Sequence, residues 1–186
     1  VSDPQAPESL IDGADLAWLV ALAGATPPGN FVELGVYKGG SAYWLYQMAE
    51  KQGRKLYLYD TFAGHTAVDP ERDDLTVHPQ GRYAENAGEL DRIRGLMPNA
   101  VICVGTFPET LVEMGPVAFV HADVDVYPPT KAICDLMPPL MVAGGMILFD
   151  DYPWEGCPGV RQAVVEAFGE GPVLPNGKRL IVKGGK

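Results

Sequence analysis

Four aspartates stand in two short stretches, Asp123 and Asp125 in "VAFVHADVDVYPPT" and Asp150 and Asp151 in "GGMILFDDY". Each pair follows a run of strand-forming apolar residues, so both are expected where a buried strand reaches its end. Unpaired buried charge is expensive, and acids kept ionised there need a compensating cation. An oxygen-only ligand set selects a hard ion, Mg²⁺ first and then Mn²⁺ or Ca²⁺, while the lack of a nearby Cys or His pair disfavours zinc. Three carboxylates leave positions open for water or for an acceptor's adjacent hydroxyls, whose pKa such an ion lowers. Alternation along a strand sets His121, Asp123 and Asp125 on one side for as long as the strand persists. Asp125 can then stand back from the metal as a general base. His121 reads as a hydrogen-bonded supporting residue rather than a catalytic one.

A second candidate is the loop "ELGVYKGGS", Glu33 to Ser41. Gly35 permits a sharp turn, and Gly39 and Gly40 allow a ligand close to the following helix N-terminus. The G-x-G-x-x-G register of dinucleotide sites would put Glu33 and Lys38 where glycines belong, and Glu33 would repel a pyrophosphate. A ligand without phosphates and with a positive centre suits this loop better. Asp60 ends the next strand, "KLYLYD", where an acid can hold ribose hydroxyls. A helix cap or a solvated strand end are its other readings. Together the loop and Asp60 indicate a cationic nucleoside, S-adenosylmethionine.

These residues need a scaffold that gathers strand ends. Helical spacing and a glycine stop predict a first helix from about Ser9 to Ala23, in "SLIDGADLAWLVALAG". Strand "NFVELGV", helix "GSAYWLYQMAEKQG" and strand "KLYLYD" follow. Next come helix "RYAENAGELDRIRGLM", strand "AVICVG", a short helix around "PETLVEM", and strand "VAFVHAD". "PTKAICDLMPPL" reads as helical until its prolines, before strand "GMILFDD" and helix "GVRQAVVEAFG". "GPVLPNGKRLIVKG" reads as two strand-like pieces about an Asn176-Gly177 hairpin turn. Alternating strands and helices predict an α/β fold with a mostly parallel sheet covered on both faces. Ligands of such sheets sit beyond the C-terminal strand ends, where all the candidate residues fall. Trp18, Tyr43, Trp44 and Tyr46 sit at core-like helical spacing. Tyr152 and Trp154 are offered as acceptor contacts or as packing under the last helix.

At 186 residues, 47% of them apolar, the chain is the size of one domain with a proper core. A net charge of −10 argues against nucleic acid or an anionic membrane as partner. Cys103, Cys134 and Cys157 are odd in number and widely spaced, which disfavours disulfides or a zinc site and fits a reducing cytoplasm. No apolar run is long enough to span a membrane, and no basic-then-apolar signal pattern opens the chain. The chain begins at Val1, through removal of an initiator or because it belongs to something longer.

The stretches "FVELGVYKGGSA", "YDTFAG", "GTFPETL", "HADVDVYPPT", "GGMILFDDYP", "GVRQAVVEAF" and "LPNGK" occur in the order seen in the macrocin O-methyltransferase (TylF/MycF/NovP-like) family, which the chain resembles from Asn30 onward. The resemblance implies a seven-stranded Rossmann-like class I methyltransferase fold. It divides the chain into an N-terminal helix and linker, 1–29, and a methyltransferase domain, 30–186, within one domain overall. It implies Asp123, Asp150 and Asp151 as ligands of Mg²⁺ and Asp125 as the base. Glu33, Gly35, Tyr37, Gly39 and Ser41 would meet the methionine end of S-adenosylmethionine. Asp60, Thr61 and Phe62 would meet its ribose and adenine, with Gly105, Thr106 and Phe107 near the base. Two features depart from the pattern: Ala63 stands where relatives carry an acid, and the N-terminal part that helps enclose the acceptor is curtailed. Residues 64–80 are placed either as a lid or as a mobile surface loop.

The expected activity is Mg²⁺-dependent methyl transfer from S-adenosylmethionine to a hydroxyl of a sugar or another small vicinal diol. The alternatives are a catechol-type O-methyltransferase, a metal-dependent hydrolase and a non-catalytic S-adenosylmethionine-binding module. Homo-oligomers are allowed, but nothing in the sequence specifies an interface.

Overall fold

The computed structural model describes residues 6–184. Six strands form one sheet in the order β3-β2-β1-β4-β5-β6: β1 (Asn30–Leu34), β2 (Leu56–Asp60), β3 (Val101–Val104), β4 (Val117–Ala122), β5 (Met141–Phe149) and β6 (Arg179–Val182). All neighbours pair in parallel except β6, which runs antiparallel to β5. The order reverses between β1 and β4, a switch point that opens a crevice above the carboxyl ends of those strands.

Alternation along the strands divides the core. Val32, Leu34, Val120, Ile147 and Phe149 pack on one face with α4 (Tyr127–Leu140) and α5 (Pro158–Phe168). Phe31, Leu58, Phe119 and Leu148 pack on the other, with α1 (Gly13–Gly24), α2 (Gly40–Gln52) and α3 (Leu90–Leu96). Glu33 and His121 are register partners on β1 and β4, and both are fully buried.

The expected α/β sheet is present with six strands rather than seven. In the C-terminal segment only Arg179–Val182 is a strand. The preceding piece holds Pro172 and Pro175, which have no amide to give to a ladder, and it makes a turn closed by Leu174 N to Lys178 O at 2.8 Å. The first helix starts four residues later than expected, at Gly13, because Asp12 caps it by accepting from the amides of Ala14 and Asp15. The expected helix "RYAENAGELDRIRGLM" is two pieces, a 3₁₀ turn over Ala84–Gly88 and then α3. The left-handed Tyr83 (φ 68°) precedes the first piece, and Asn86 within it is tied to Asp60.

No helix forms around "PETLVEM". Residues 108–110 make a turn and residues 111–114 are irregular, and the Val112 amide donates to the Tyr59 hydroxyl at 3.4 Å instead of to a preceding turn. Pro138 and Pro139 do not stop α4, which carries both in its last turn and ends at Leu140. Lys183 Nζ donates to the Pro138 carbonyl there at 2.7 Å. Among the described residues no helix is long and apolar enough to cross a membrane.

Candidate active site

The crevice at the switch point is a cavity of about 560 Å³, within the range of small-molecule sites. Its floor is made by the ends of β1, β2, β4 and β5 and by the loops that leave them.

Gly35 sets the first loop. Its φ is 87°, and a Cβ there would lie 1.7 Å from the carbonyl oxygen of Asp123. Only glycine lets the chain leaving β1 pass so close to the chain leaving β4. The Asp123 amide donates to the Leu34 carbonyl at 2.9 Å on the same path. The turn that opens the cavity is therefore also the turn that holds Asp123 in place.

Asp60, at the end of β2, ties the other side. Its Oδ2 accepts from the amides of Val36 and Tyr37 at 2.7 and 2.8 Å. Its Oδ1 accepts from the Phe62 amide at 2.6 Å and from Asn86 Nδ2 at 3.3 Å. Asp60 lines the cavity, but these four bonds all go to the protein, so the acid organises two loops.

Across the cavity the acids converge. Oxygens of Asp123, Asp150 and Asp151 lie within 4.8 Å of one another. Strand β4 ends at Ala122, so Asp125 is placed by a turn rather than by alternation. Asp125 holds the left-handed conformation with φ 61°, a strained state for a non-glycine residue. Asp150 extends β5 by donating its amide to the Ala122 carbonyl at 3.0 Å.

Two cations meet this group. Lys178 Nζ bonds Asp150 and lies 3.4 Å from Asp15 of α1. His121 Nε2 lies 3.4 Å from Asp150, and its Nδ1 lies 2.8 Å from Glu33. Burial alone would depress the His121 pKa, but Asp150 and Glu33 outweigh it and push it up to about 9, so the ring is an imidazolium at neutral pH. Burial would raise Asp150, yet His121 and Lys178 hold it below the usual carboxylate range. The other acids go the opposite way. Burial and the neighbouring carboxylates raise Asp123 and Asp125, and burial with Asp150 raises Asp151. Asp123 and Asp151 have no salt-bridge partner among the described residues. The centre holds more carboxylate than its own cations balance.

Of the residues assigned from the sequence to cofactor, metal or base, Gly35, Tyr37, Asp60, Thr61, Gly105, Thr106, Phe107, Asp123, Asp125, Asp150 and Asp151 line the cavity. Four do not. Glu33 is buried beneath it as the partner of His121, with its Oε2 unpaired. Gly39 is the left-handed N-cap of α2, close against Ile93. Ser41 is buried in the first turn of α2, and Phe62 packs in the core on the α2 face.

Comparison with known proteins bears on the family and the fold. A family model described as a methyltransferase domain matches residues 32–152. The chain belongs to that methyltransferase-domain family. A curated relative from Streptomyces olivaceus, 8-demethyl-8-(2,3-dimethoxy-alpha-L-rhamnosyl)-tetracenomycin-C 4'-O-methyltransferase, is 29% identical over 146 residues. The match takes in 70% of this chain and 55% of the relative, so the chain spans little more than half of that protein's length. Among solved structures, the calicheamicin methyltransferase CalS11 superposes with a TM-score of 0.80 at 22% identity, covering 92% of this chain and 79% of that one. The O-methyltransferase NovP superposes with a TM-score of 0.70 at 21% identity, covering 85% and 72%. These matches bear out the Rossmann-like fold and the resemblance read from the motifs.

This methyltransferase-domain chain also uses residues that motif reading left without a role. Of residues 64–80, Gly64, His65, Thr66 and Ala67 line the cavity, with His65 3.7 Å from Asp125 and Thr66 3.0 Å from the Thr106 hydroxyl. The segment is anchored by Asp73, whose Oδ1 accepts from the Tyr127 amide at the start of α4 at 2.7 Å. Lys178 sits in "LPNGK", a motif legible in the sequence but not tied there to Asp150. His65 and His78 gave no local signal, because only the folded segment brings them together.

Proposed function

We propose that this chain is an Mg²⁺-dependent O-methyltransferase that moves the methyl group of S-adenosylmethionine to a sugar hydroxyl beside a second hydroxyl. The observation that carries this reading is the meeting of Asp123, Asp150 and Asp151 in a cavity that the Gly35 loop and the ends of β2 and β3 also line. The donors are oxygen only, and the carboxylates outnumber the local cations, which together suit a hard divalent ion. Bound by these three acids, Mg²⁺ would supply Lewis acidity toward two adjacent acceptor oxygens.

S-adenosylmethionine would supply the electrophilic methyl. The Gly35 loop with Tyr37, and Thr61, Gly105, Thr106 and Phe107 at the ends of β2 and β3, are the surfaces offered to it. The loop amides it would approach are held by Asp60, which supports the cofactor through the backbone. Asp125 is offered to the acceptor as the base. Its strained backbone aims the carboxylate into the cavity, and the raised pKa from burial and Asp151 suits a group that must take a proton. Most of the acceleration then comes from holding donor and acceptor in line.

The rhamnosyl unit in the relative's name supports a deoxyhexose acceptor. The three free, buried cysteines fit a reducing cytoplasm. The test measures labelled methyl transfer from S-adenosylmethionine to rhamnosides and to catechol, with Mg²⁺ or with chelator. Asp150→Asn is expected to lose on the order of 10²–10³-fold in turnover while keeping its affinity for S-adenosylmethionine. Full turnover in chelator, or by D150N, would refute the metal role. Transfer to catechol alone would move the acceptor to that class.

A further inference from the structure

Beside the acid centre is a second group of potential ligands with a different chemistry. His65 Nε2 lies 3.3 Å from His78 Nδ1 and 3.7 Å from Asp125 Oδ2. One atom each of His65, His78 and Asp125 lies within 4.8 Å of the other two. A tetrahedral ion with bonds of about 2.0–2.1 Å sets its ligands roughly 3.3–3.4 Å apart, close to the 3.3 Å between the two histidine nitrogens. Two imidazoles and one carboxylate favour a softer ion than the neighbouring all-oxygen set does.

The scaffold is rigid where this requires it. The His65 amide donates to the Arg82 carbonyl at 3.0 Å and the Gly81 amide to the His65 carbonyl at 2.9 Å, closing the loop at its base. Gly64 permits that closure, since a Cβ there would lie 2.3 Å from the Arg82 carbonyl oxygen. His78 is only 1% exposed, and its other nitrogen, Nε2, lies 3.3 Å from Cys157 Sγ. That contact fixes which nitrogen faces His65, as an outer partner does for a ligating histidine. The open side faces the cavity, which His65 and Asp125 both line.

We propose that His65, His78 and Asp125 form a second cation site that takes Zn²⁺ or another nitrogen-preferring divalent ion, and that filling it withdraws Asp125 from proton transfer. The binding claim stands on geometry alone. The inhibition claim rests on the role of Asp125 proposed above. An ion here would stop methyl transfer without displacing Mg²⁺ from Asp123, Asp150 and Asp151.

Co²⁺, as a visible stand-in for Zn²⁺, separates the two claims. The whole chain is titrated with Co²⁺ under excess Mg²⁺, and X-ray absorption at the cobalt edge reads the ligands. The expected result is imidazole coordination, unchanged in D150N and weakened on the order of a hundredfold in His65→Gln and His78→Gln. The wild-type spectrum decides even if a histidine variant folds poorly. A spectrum without imidazole, displacement by Mg²⁺, or loss of binding in D150N would overturn the site. Zn²⁺ added to the Mg²⁺-saturated enzyme is then expected to inhibit the wild type and spare H65Q. Imidazole-bound cobalt without inhibition by Zn²⁺ would uphold the site and overturn Asp125 as the base.

Discussion

The two ends of the cavity are built on opposite plans. At the β1–β2 end most polar groups are already satisfied: Asp60 accepts four hydrogen bonds that bind two loops together, while Asn86 Oδ1 is left buried without a partner. A ligand arriving there meets a nearly finished surface. At the β4–β5 end the side chains oppose one another. Burial and neighbouring carboxylates, Asp150 among them, hold Asp123, Asp125 and Asp151 above the usual carboxylate range, and only Asp150 is firmly paired. That end is completed by what binds to it. On the proposed reading, affinity for a nucleoside and competence for chemistry are carried by separable parts of the same crevice.

The sharpest separation is expected from Asp125→Asn. Removing a general base typically costs about 10²–10⁴-fold in rate. Affinities for S-adenosylmethionine and Mg²⁺ should change little, since neither is assigned to Asp125. Single-turnover kinetics beside calorimetry would show it. A variant with near-normal turnover would take Asp125 out of the chemistry.

Gly35→Ala should break the separation, because both ends share that residue. The added carbon would overlap the Asp123 carbonyl in a backbone conformation that alanine resists. Destabilisation of about 3 kcal/mol or more is expected, with both ligand affinities falling together. Thermal melts and calorimetry check this. Loss of only one affinity would show that the two ends are less tightly joined than the Gly35–Asp123 contact implies.

Asp60→Ala tests the finished end alone. It leaves the amides of Val36, Tyr37 and Phe62 without their acceptor, each at a cost of about 1–3 kcal/mol if water does not replace it. Affinity for S-adenosylmethionine should fall roughly 10–100-fold while Mg²⁺ affinity holds, as calorimetric titration would show. Asp60→Asn, which keeps one acceptor oxygen, should fall between. Unchanged cofactor affinity in D60A would mean that these loops do not meet the nucleoside.

Much of this was legible in the order of residues because strand ends carry their own signature. Apolar runs that stop at "DVD", "FDD" and "YD" announce both a parallel sheet and the acids at its rim. Distance in sequence hid the rest. Glu33 looks like a ligand contact in its loop, yet its partner is His121, 88 residues away, and the pair lies beneath the cavity floor. Trp18 has the spacing of a core residue but is 46% exposed, while α1 buries Leu16, Leu19 and Ala23 instead. Trp154 stands exposed at the cavity rim with its ring edge-on to His78, while Tyr152 is buried, so the two aromatics offered together part company. Lys178 and His78 act through long-range contacts that no local spacing encodes.

The smallest expected effect probes the unfinished end through pH. His121 titrates near 9 in the folded protein against about 6.5 when unfolded, so its stabilisation is whole below about 6.5 and fades as pH climbs through about 9. Asp123, Asp125 and Asp151, with raised pKa values, likewise favour the fold most when protonated and work against it once ionised. Asp150 is lowered and stays ionised across this window, so it adds no slope. The metal-free protein should therefore lose stability as pH rises from about 6.5 to 9. Mg²⁺ binds the ionised acids, so its gain in Tm should grow as pH rises, by roughly 2–4 °C, or about 1 kcal/mol for a domain of this size. Differential scanning fluorimetry with Mg²⁺ or chelator at each pH reads this directly. D150N should flatten the slope, since it removes both a ligand and the partner that keeps His121 charged. A wild-type gain that is constant or shrinks with pH would place Mg²⁺ away from these acids, and the unfinished end would then be neutralised by protons rather than by a metal.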